Sequence, residues 1–371
     1  MKPKILFILH LPPPIHGAAM MGKYIQESEL INSSFDCFCI NLATAGSLSD
    51  IGHISLKKLL KYFFLLKHIS NVVREIRPEL VYITPNAGRK AFFKDFIVVQ
   101  MLKSMGCKVI AHYHNKGVSV YQSKWVYNFF YKRFFSNLKV ILLAENLYKD
   151  MAKYVKREDV YICPNGIPSS CKEEMEARRN NVIPHLLFLS NLLISKGVIV
   201  LLDALRILKE KGYLFNCQYV GGETAEINAV QFSEEVDKRD LNDRVAYVGR
   251  KVGEEKNTFF QQADIFILPT MNECFPLVIL EAMEYKLPVI STNEGGIPDM
   301  VKDGENGLIC EKQNPVSLAD CIAKLLDDEE LRVKMGNAGY DKFCREFTLQ
   351  QFEHRMLDIL SQNLPQKEKE N

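Results

Sequence analysis

With 371 residues, 47% of them hydrophobic and 25% charged, the chain is too long for one ordinary core and divides most naturally into two domains; extended disorder, a collagen repeat and a disulfide-framed miniprotein are excluded. Its net charge of +2 conceals a split: residues 1–165 carry 23 Lys and Arg against 11 Asp and Glu, or +12, and the remainder carries 24 against 34, or −10. The basic first half would meet an anionic partner, but no nucleic-acid-binding motif accompanies it, and no nucleic acid is expected.

In chain order, short apolar runs alternate with helix-length segments, and the series occurs twice. Strands are expected over residues 5–9, 38–40, 80–83, 108–111, 140–143 and 160–163, then over 186–189, 216–220, 245–248, 265–268, 289–291 and 308–310. The runs are continuous rather than alternating, which suits strands covered by helices on both faces of a parallel sheet. Two βα series imply two doubly wound α/β domains. The turn-rich seam Pro164-Asn165-Gly166-Ile167-Pro168 sets them at 1–165 and 166–345; residues 169–184 read as a linker and 366–371 as a frayed tail.

Within the basic half, residues 57–67 and 124–139 interleave Lys and Arg with large apolar side chains, Phe63 and Phe64 in the first stretch and Trp125 and Phe129 in the second. At helical spacing such stretches either lie on an anionic membrane or pack on a sheet with a solvated lysine edge. No apolar run reaches the roughly 18–20 residues of a membrane-crossing helix, and the first residues lack the pattern of a secretory signal. The ten cysteines show no CxxC pair and no Cys/His ligand spacing. A cytoplasmic protein with reduced thiols and no zinc site is expected, in peripheral contact with the inner membrane face if the membrane alternative holds.

Ligands of open α/β sheets bind beyond the carboxyl ends of the strands, so residues just after strands are the ones to inspect. After the first strand, Gly17 opens a helix; without a side chain it admits a ligand close to free N–H groups that favour phosphate. His16 beside it either touches substrate or is an exposed loop residue. After the strand at 108–111 come His112 and His114, which point to the same side if the strand continues. After the strand at 265–268, Glu273 lies in a loop, Pro276 suits the first turn of a helix, and Glu281 lies over a turn further on. Free N–H groups at that helix start favour a diphosphate, and carboxylates on either side would accept hydrogen bonds from sugar hydroxyls.

Glu273, seven intervening residues, Glu281, Ala282 and Met283, followed by Pro288-Val289-Ile290-Ser291-Thr292-Asn293-Glu294-Gly295-Gly296-Ile297-Pro298-Asp299 and by Asp303-Gly304-Glu305-Asn306-Gly307-Leu308, resemble the retaining glycosyltransferases of family 4. The likeness extends over about residues 160–345 and is looser upstream. It implies the GT-B fold: two Rossmann-like domains facing across a cleft, the first for the acceptor, the second for a nucleotide-sugar, with a C-terminal helix near 346–365 packed back on the first. It implies that Glu273 contacts the donor sugar, that Glu281 holds the ribose, and that backbone at Phe275, Pro276 and Leu277 lines the sugar and diphosphate. The segment from Leu189 to Gly197 is similar to a second family block. Lys196 and Gly197 match it, and Asn191 stands where the family carries Arg. Lys196 would neutralise the leaving diphosphate as a compact charge, whereas Asn191 supplies only a neutral hydrogen bond. The family places a histidine at a strand end facing the reacting sugar; His114 fits that position best, with His112 the other choice. Its glycine-rich first loop is represented by Gly17 and Ala18.

The resemblance implies retaining transfer of a sugar from a UDP- or GDP-sugar to a hydroxyl of a saccharide acceptor, in bacterial polysaccharide or glycolipid synthesis. The basic, aromatic first half suits a lipid-linked acceptor. The nucleotide-sugar is a co-substrate; no cofactor is expected, and no divalent metal, since no Asp-x-Asp motif is present. A Walker loop, a GxGxxG after the first strand and a GxSxG elbow are also absent. The alternatives are a sugar-nucleotide epimerase of similar outline and a non-catalytic nucleotide-sugar-binding partner in an assembly.

Overall fold

The computed structural model describes residues 2–13, 17–42, 56–169 and 181–365, with backbone alone for 56–59. His16, residues 170–180 of the linker and the tail from 366 lie outside the described residues. The chain divides into two compact units, Met1–Gly166 with Leu349–Asn371, and Ile167–Thr348.

The first unit contains β1 (Lys4–Leu9), α1 (Gly17–Glu27), α2 (Glu29–Ser34), β2 (Asp36–Asn41), α3 (Leu56–Ile76), β3 (Leu80–Ile83), α4 (Arg89–Ser104), β4 (Val109–Tyr113), α5 (Val118–Tyr121), α6 (Trp125–Phe135), β5 (Lys139–Leu142) and β6 (Val160–Ile162). Its strands pair in parallel in the order β2-β1-β3-β4-β5-β6. From β2 to β6 every step goes the same way, so right-handed crossovers put α3, α4 and α6 on one face. The reverse step from β1 to β2 puts α1 and α2 on the other.

The second unit contains β7 (His185–Leu189), α7 (Val198–Glu210), β8 (Asn216–Val220), α8 (Ala229–Asp237), β9 (Val245–Tyr247), α9 (Gly253–Gln262), β10 (Ile265–Leu268), α10 (Leu277–Glu284), β11 (Val289–Thr292), α11 (Ile297–Met300), β12 (Gly307–Cys310), α12 (Pro315–Asp327) and α13 (Glu329–Glu346). The parallel order is β12-β11-β10-β7-β8-β9. The last helix, α14 (Leu349–Gln362), belongs to the first unit and packs on α2.

Every expected strand is present, with ends within two residues of those read from the sequence. The apolar runs succeed as signals because central strands such as β3 and β10 are buried along their whole length. Burying one side chain like Ile267 contributes about 1.5–3 kcal/mol, which favours helices on both faces. Two offsets matter for the site. β4 continues to Tyr113, so His112 lies inside the sheet rather than after it. Pro276 is the residue that caps α10, not a member of its first turn. Strand order reverses between β1 and β3 in the first unit and between β7 and β10 in the second, which marks the ligand-binding end of each sheet.

Candidate functional site

In the second unit, the loops after β7 and β10 leave the sheet side by side at the switch point. The loop after β7 makes a single helical turn, Ile194–Lys196, and then Gly197 takes φ +83 before α7 begins. A Cβ there would lie 2.2 Å from Pro269 O, so only glycine lets the two loops approach this closely. The backbone N–H of Met271 and the Thr270 hydroxyl both donate to Ser195 O, at 2.8 and 3.1 Å. The loop after β11 joins them. Thr292 Oγ1 donates to Thr270 O at 2.6 Å and Gly296 N–H to Cys274 O at 2.7 Å.

This stitching brings Lys196 and Glu273 together. The Lys196 ammonium donates to the Glu273 carboxylate in an ion pair about four-fifths buried on both sides. Glu281, the fifth residue of α10, pairs with Lys256 of α9: Lys256 Nζ donates to Glu281 Oε1 at 2.7 Å. The start of α10 carries no side-chain cap; Ile279 N–H donates to Pro276 O at 3.1 Å, so an anion would be met by the N–H groups ahead of it, those of Leu277 and Val278. Phe275 and Pro276 are buried, the Phe275 ring packing edge-on against Phe347 at 6.0 Å. Only their backbone can serve a ligand, together with that of half-buried Leu277.

Asn191 does something the sequence does not show. Its Oδ1 accepts from Gly222 N–H at 3.0 Å, and the Gly222 carbonyl accepts from Leu192 N–H at 2.9 Å, so the loops after β7 and β8 fold on one another. Arg250, exposed after β9, comes to the same place: a Cβ added at Gly222 would lie 3.1 Å from Asn191 Oδ1 and 3.9 Å from Arg250 Cδ. The Arg250 side chain therefore passes near Asn191 from a different loop.

In the first unit, Gly17 opens α1 and is exposed. His112 is fully buried, with Nδ1 2.6 Å from the Tyr82 hydroxyl. Burial, followed by the nearby His114, pushes its pKa well below the ordinary histidine value, so the ring is neutral. His114 lies just past β4, half-buried, with its ring 4.2 Å from that of His112. The surrounding loops are held by side chains that no local motif announces. Asp95, buried, accepts from the Asn86 N–H and Nδ2 at 2.7 and 2.8 Å; Asn115 Oδ1 accepts from Ala87 N–H at 2.7 Å. Asp150 accepts from the N–H groups of Gly117, Val118 and Ser119.

Lys256, Tyr82, Asp95 and Asp150 escape sequence reasoning because each reaches its partner through the fold rather than through spacing. Among the described residues, no group of three or more His, Cys, Asp or Glu side chains is placed to hold a metal ion, and no helix is long and apolar enough to cross a membrane. None of the nine described cysteines is in a disulfide.

Residues 172–342, nearly all of the second unit, match the model of the glycosyl transferases group 1 family. The capsular polysaccharide biosynthesis glycosyltransferase CapM of Staphylococcus aureus is 32% identical over 155 residues, 42% of this chain and 40% of that protein. The amylovoran biosynthesis glycosyltransferase AmsK of Erwinia amylovora is 25% identical over 295 residues, 74% of this chain and 72% of that protein. Several other curated relatives match over less than half of their own length. Among solved structures, sucrose-phosphate synthase from Thermosynechococcus elongatus superposes with a TM-score of 0.75 at 18% identity, covering 98% of this chain and 99% of that one. HepE from Anabaena, in complex with UDP-glucose, superposes with a TM-score of 0.71 at 18% identity, covering 97% and 99%. The chain thus has the GT-B fold, and residues 172–342 of its second unit are similar to the glycosyl transferases group 1 family.

Proposed function

We propose that the protein is a glycosyltransferase of bacterial polysaccharide or glycolipid synthesis. It transfers a sugar from a nucleoside-diphosphate sugar, a UDP- or GDP-sugar, to a hydroxyl of a saccharide acceptor and retains the anomeric configuration. The observation that carries the reading is the joining of Lys196, Glu273 and the uncapped start of α10 at the switch point of the second unit. CapM and AmsK, named for polysaccharide synthesis, support the process, and HepE, seen with UDP-glucose, supports the donor class.

In this reading Glu281 holds the ribose and Lys256 fixes its carboxylate. Lys196 and the α10 N–H groups take the charge that develops on the leaving diphosphate as the anomeric C–O bond breaks. Lys196 must then exchange part of its interaction with Glu273 for phosphate, which frees Glu273 to accept from the sugar hydroxyls. The departing diphosphate oxygen accepts the proton of the attacking hydroxyl, and attack on the face it leaves keeps the configuration. No protein nucleophile is required. The acceptor falls to the first unit, where His114 supports the sugar by hydrogen bonding. A lipid-linked acceptor and contact with an anionic membrane suit the charge of that half. Neither cofactor nor divalent metal is assigned a step.

The test is transfer from labelled UDP- and GDP-sugars to a mixture of lipid-linked saccharides, with NMR assignment of the new anomeric centre. An inverted product would remove the retaining step. A donor converted with no acceptor present would assign the site to epimerisation.

A further inference from the structure

Helices α3, α4 and α6 lie side by side on one face of the first unit, and their outward residues are unlike a solvated surface. Phe63 is 62% exposed, Phe64 63%, Trp125 80% and Phe129 52%; Leu60 and Ile97 are exposed as well. Single exposed apolar residues are ordinary, but six large ones on three adjoining helices mark an interaction surface.

The rings gather at one end. Ile76 ends α3 just before β3 begins, and Phe64 stands about 18 Å back along the helix at 1.5 Å per residue, whereas β3 rises only about 13 Å. Leu60, Phe63 and Phe64 therefore reach the carboxyl end of the sheet. The Tyr62 hydroxyl agrees, donating at 2.6 Å to the carbonyl of Lys94 in the second turn of α4. On the other flank, Phe130 packs on Phe93 and Phe96 at 5.4 and 4.8 Å, which sets the first turns of α6 level with those of α4. Trp125 and Phe129 consequently sit at the same end, the one that bears the His114 loop.

The charge is one-sided. Across α3, α4, Lys124 and α6 there are two carboxylates: Asp95, which is buried, and Glu75, exposed in the last turn of α3 at the end away from the rings. Lys61, Lys67, Arg89, Lys90, Lys124 and Arg133 are exposed, Arg133 lying over the Phe129 ring at 5.8 Å. A second copy of this face would set like charge against like. Apolar rings at the tip with cations around them, and no anion among them, are what a bilayer rich in anionic headgroups complements.

We infer that this end of α3, α4 and α6 docks on an anionic lipid surface, the aromatic rings entering the headgroup boundary and the cations meeting phosphates. The inference deepens the lipid-linked acceptor reading and rests on it for its consequence: docking brings the His114 loop to the surface in which such an acceptor is anchored.

The test is co-sedimentation of the full chain with vesicles of phosphatidylcholine alone or with roughly a third phosphatidylglycerol, at low and raised salt. We expect binding to the anionic vesicles only, weakened by salt, and weakened at least about tenfold in the combined Phe63→Ser, Phe64→Ser, Trp125→Ser variant. A Lys61→Glu, Lys90→Glu variant, which leaves the rings intact, should also bind less. No binding at low salt, or equal binding by the variants, overturns the inference; so does a serine variant that changes the particle mass in solution, which would assign the face to a protein partner. Stabilisation of the same preparations by sugar nucleotides separates the two readings. Stabilisation without vesicle binding sinks the docking alone, and vesicle binding without stabilisation by any sugar nucleotide sinks the glycosyltransferase reading alone.

Discussion

Lys196 and Glu273, far apart in sequence, form a largely buried ion pair that joins the loops after β7 and β10. Each is thereby held in place, and in the proposed site a ligand would compete with each for the other. Replacing Glu273 with Gln should lower transfer by about a hundredfold, near 3 kcal/mol of transition-state stabilisation, while UDP or GDP binds as well as before or better, because Lys196 is released. Lys196→Ala should weaken both. Steady-state rates with calorimetric nucleotide affinities check this; nucleotide affinity falling equally in the two variants would show that the pair does not compete with phosphate. The double variant should lose less than the product of the single losses, as expected of coupled groups.

Lys256 gives Glu281 its orientation. If Glu281 holds the ribose as proposed, Lys256→Met should raise the donor KM by about five- to tenfold and change kcat little, since such binding would be felt equally in the ground and transition states. A fall in kcat at unchanged KM would place Lys256 at the reacting centre instead.

Gly197 cannot accept a side chain. Gly197→Ala combines φ +83 with a 2.2 Å approach of the new Cβ to Pro269 O. A loss of more than about 2 kcal/mol follows, or on the order of 5 °C in Tm for a unit of this size. Thermal denaturation checks it, and a Tm within a degree of the parent would show that the loops are looser than described.

The neutral, buried His112 makes stability depend on pH. Its folded-state pKa lies well below the ordinary value of 6.5, so the unfolded chain binds the proton first and stability falls as pH drops below about 6.5. Against His112→Phe, the parent's Tm should decline more steeply between about pH 6.5 and 5. Parallel curves would mean that His112 is solvated.

How much of this was legible in the chain depends on where the signal lay. Buried strands such as β3 and β10 are continuous apolar runs, so both sheets could be read directly. Glu273 and Glu281 share one strand–loop–helix segment and could be read together. Their partners could not: Lys196 and Lys256 reach them only once the crossovers have folded. His112 and His114 stayed open because the decision turns on two residues at the end of β4, a span within which apolar runs do not fix a strand end. Asn191 looked like a missing cation; the Gly222 hydrogen bond and the approach of Arg250 are properties of three loops meeting.

Calorimetric titration of UDP and GDP into the parent, Lys196→Ala and Glu281→Ala proteins tests most directly the proposed hold of Lys196 on the diphosphate and of Glu281 on the ribose of a sugar nucleotide. One site per chain is expected for at least one nucleotide, weakened about tenfold or more in each variant, near 1.4 kcal/mol or above. Binding of equal strength in all three folded proteins would contradict it.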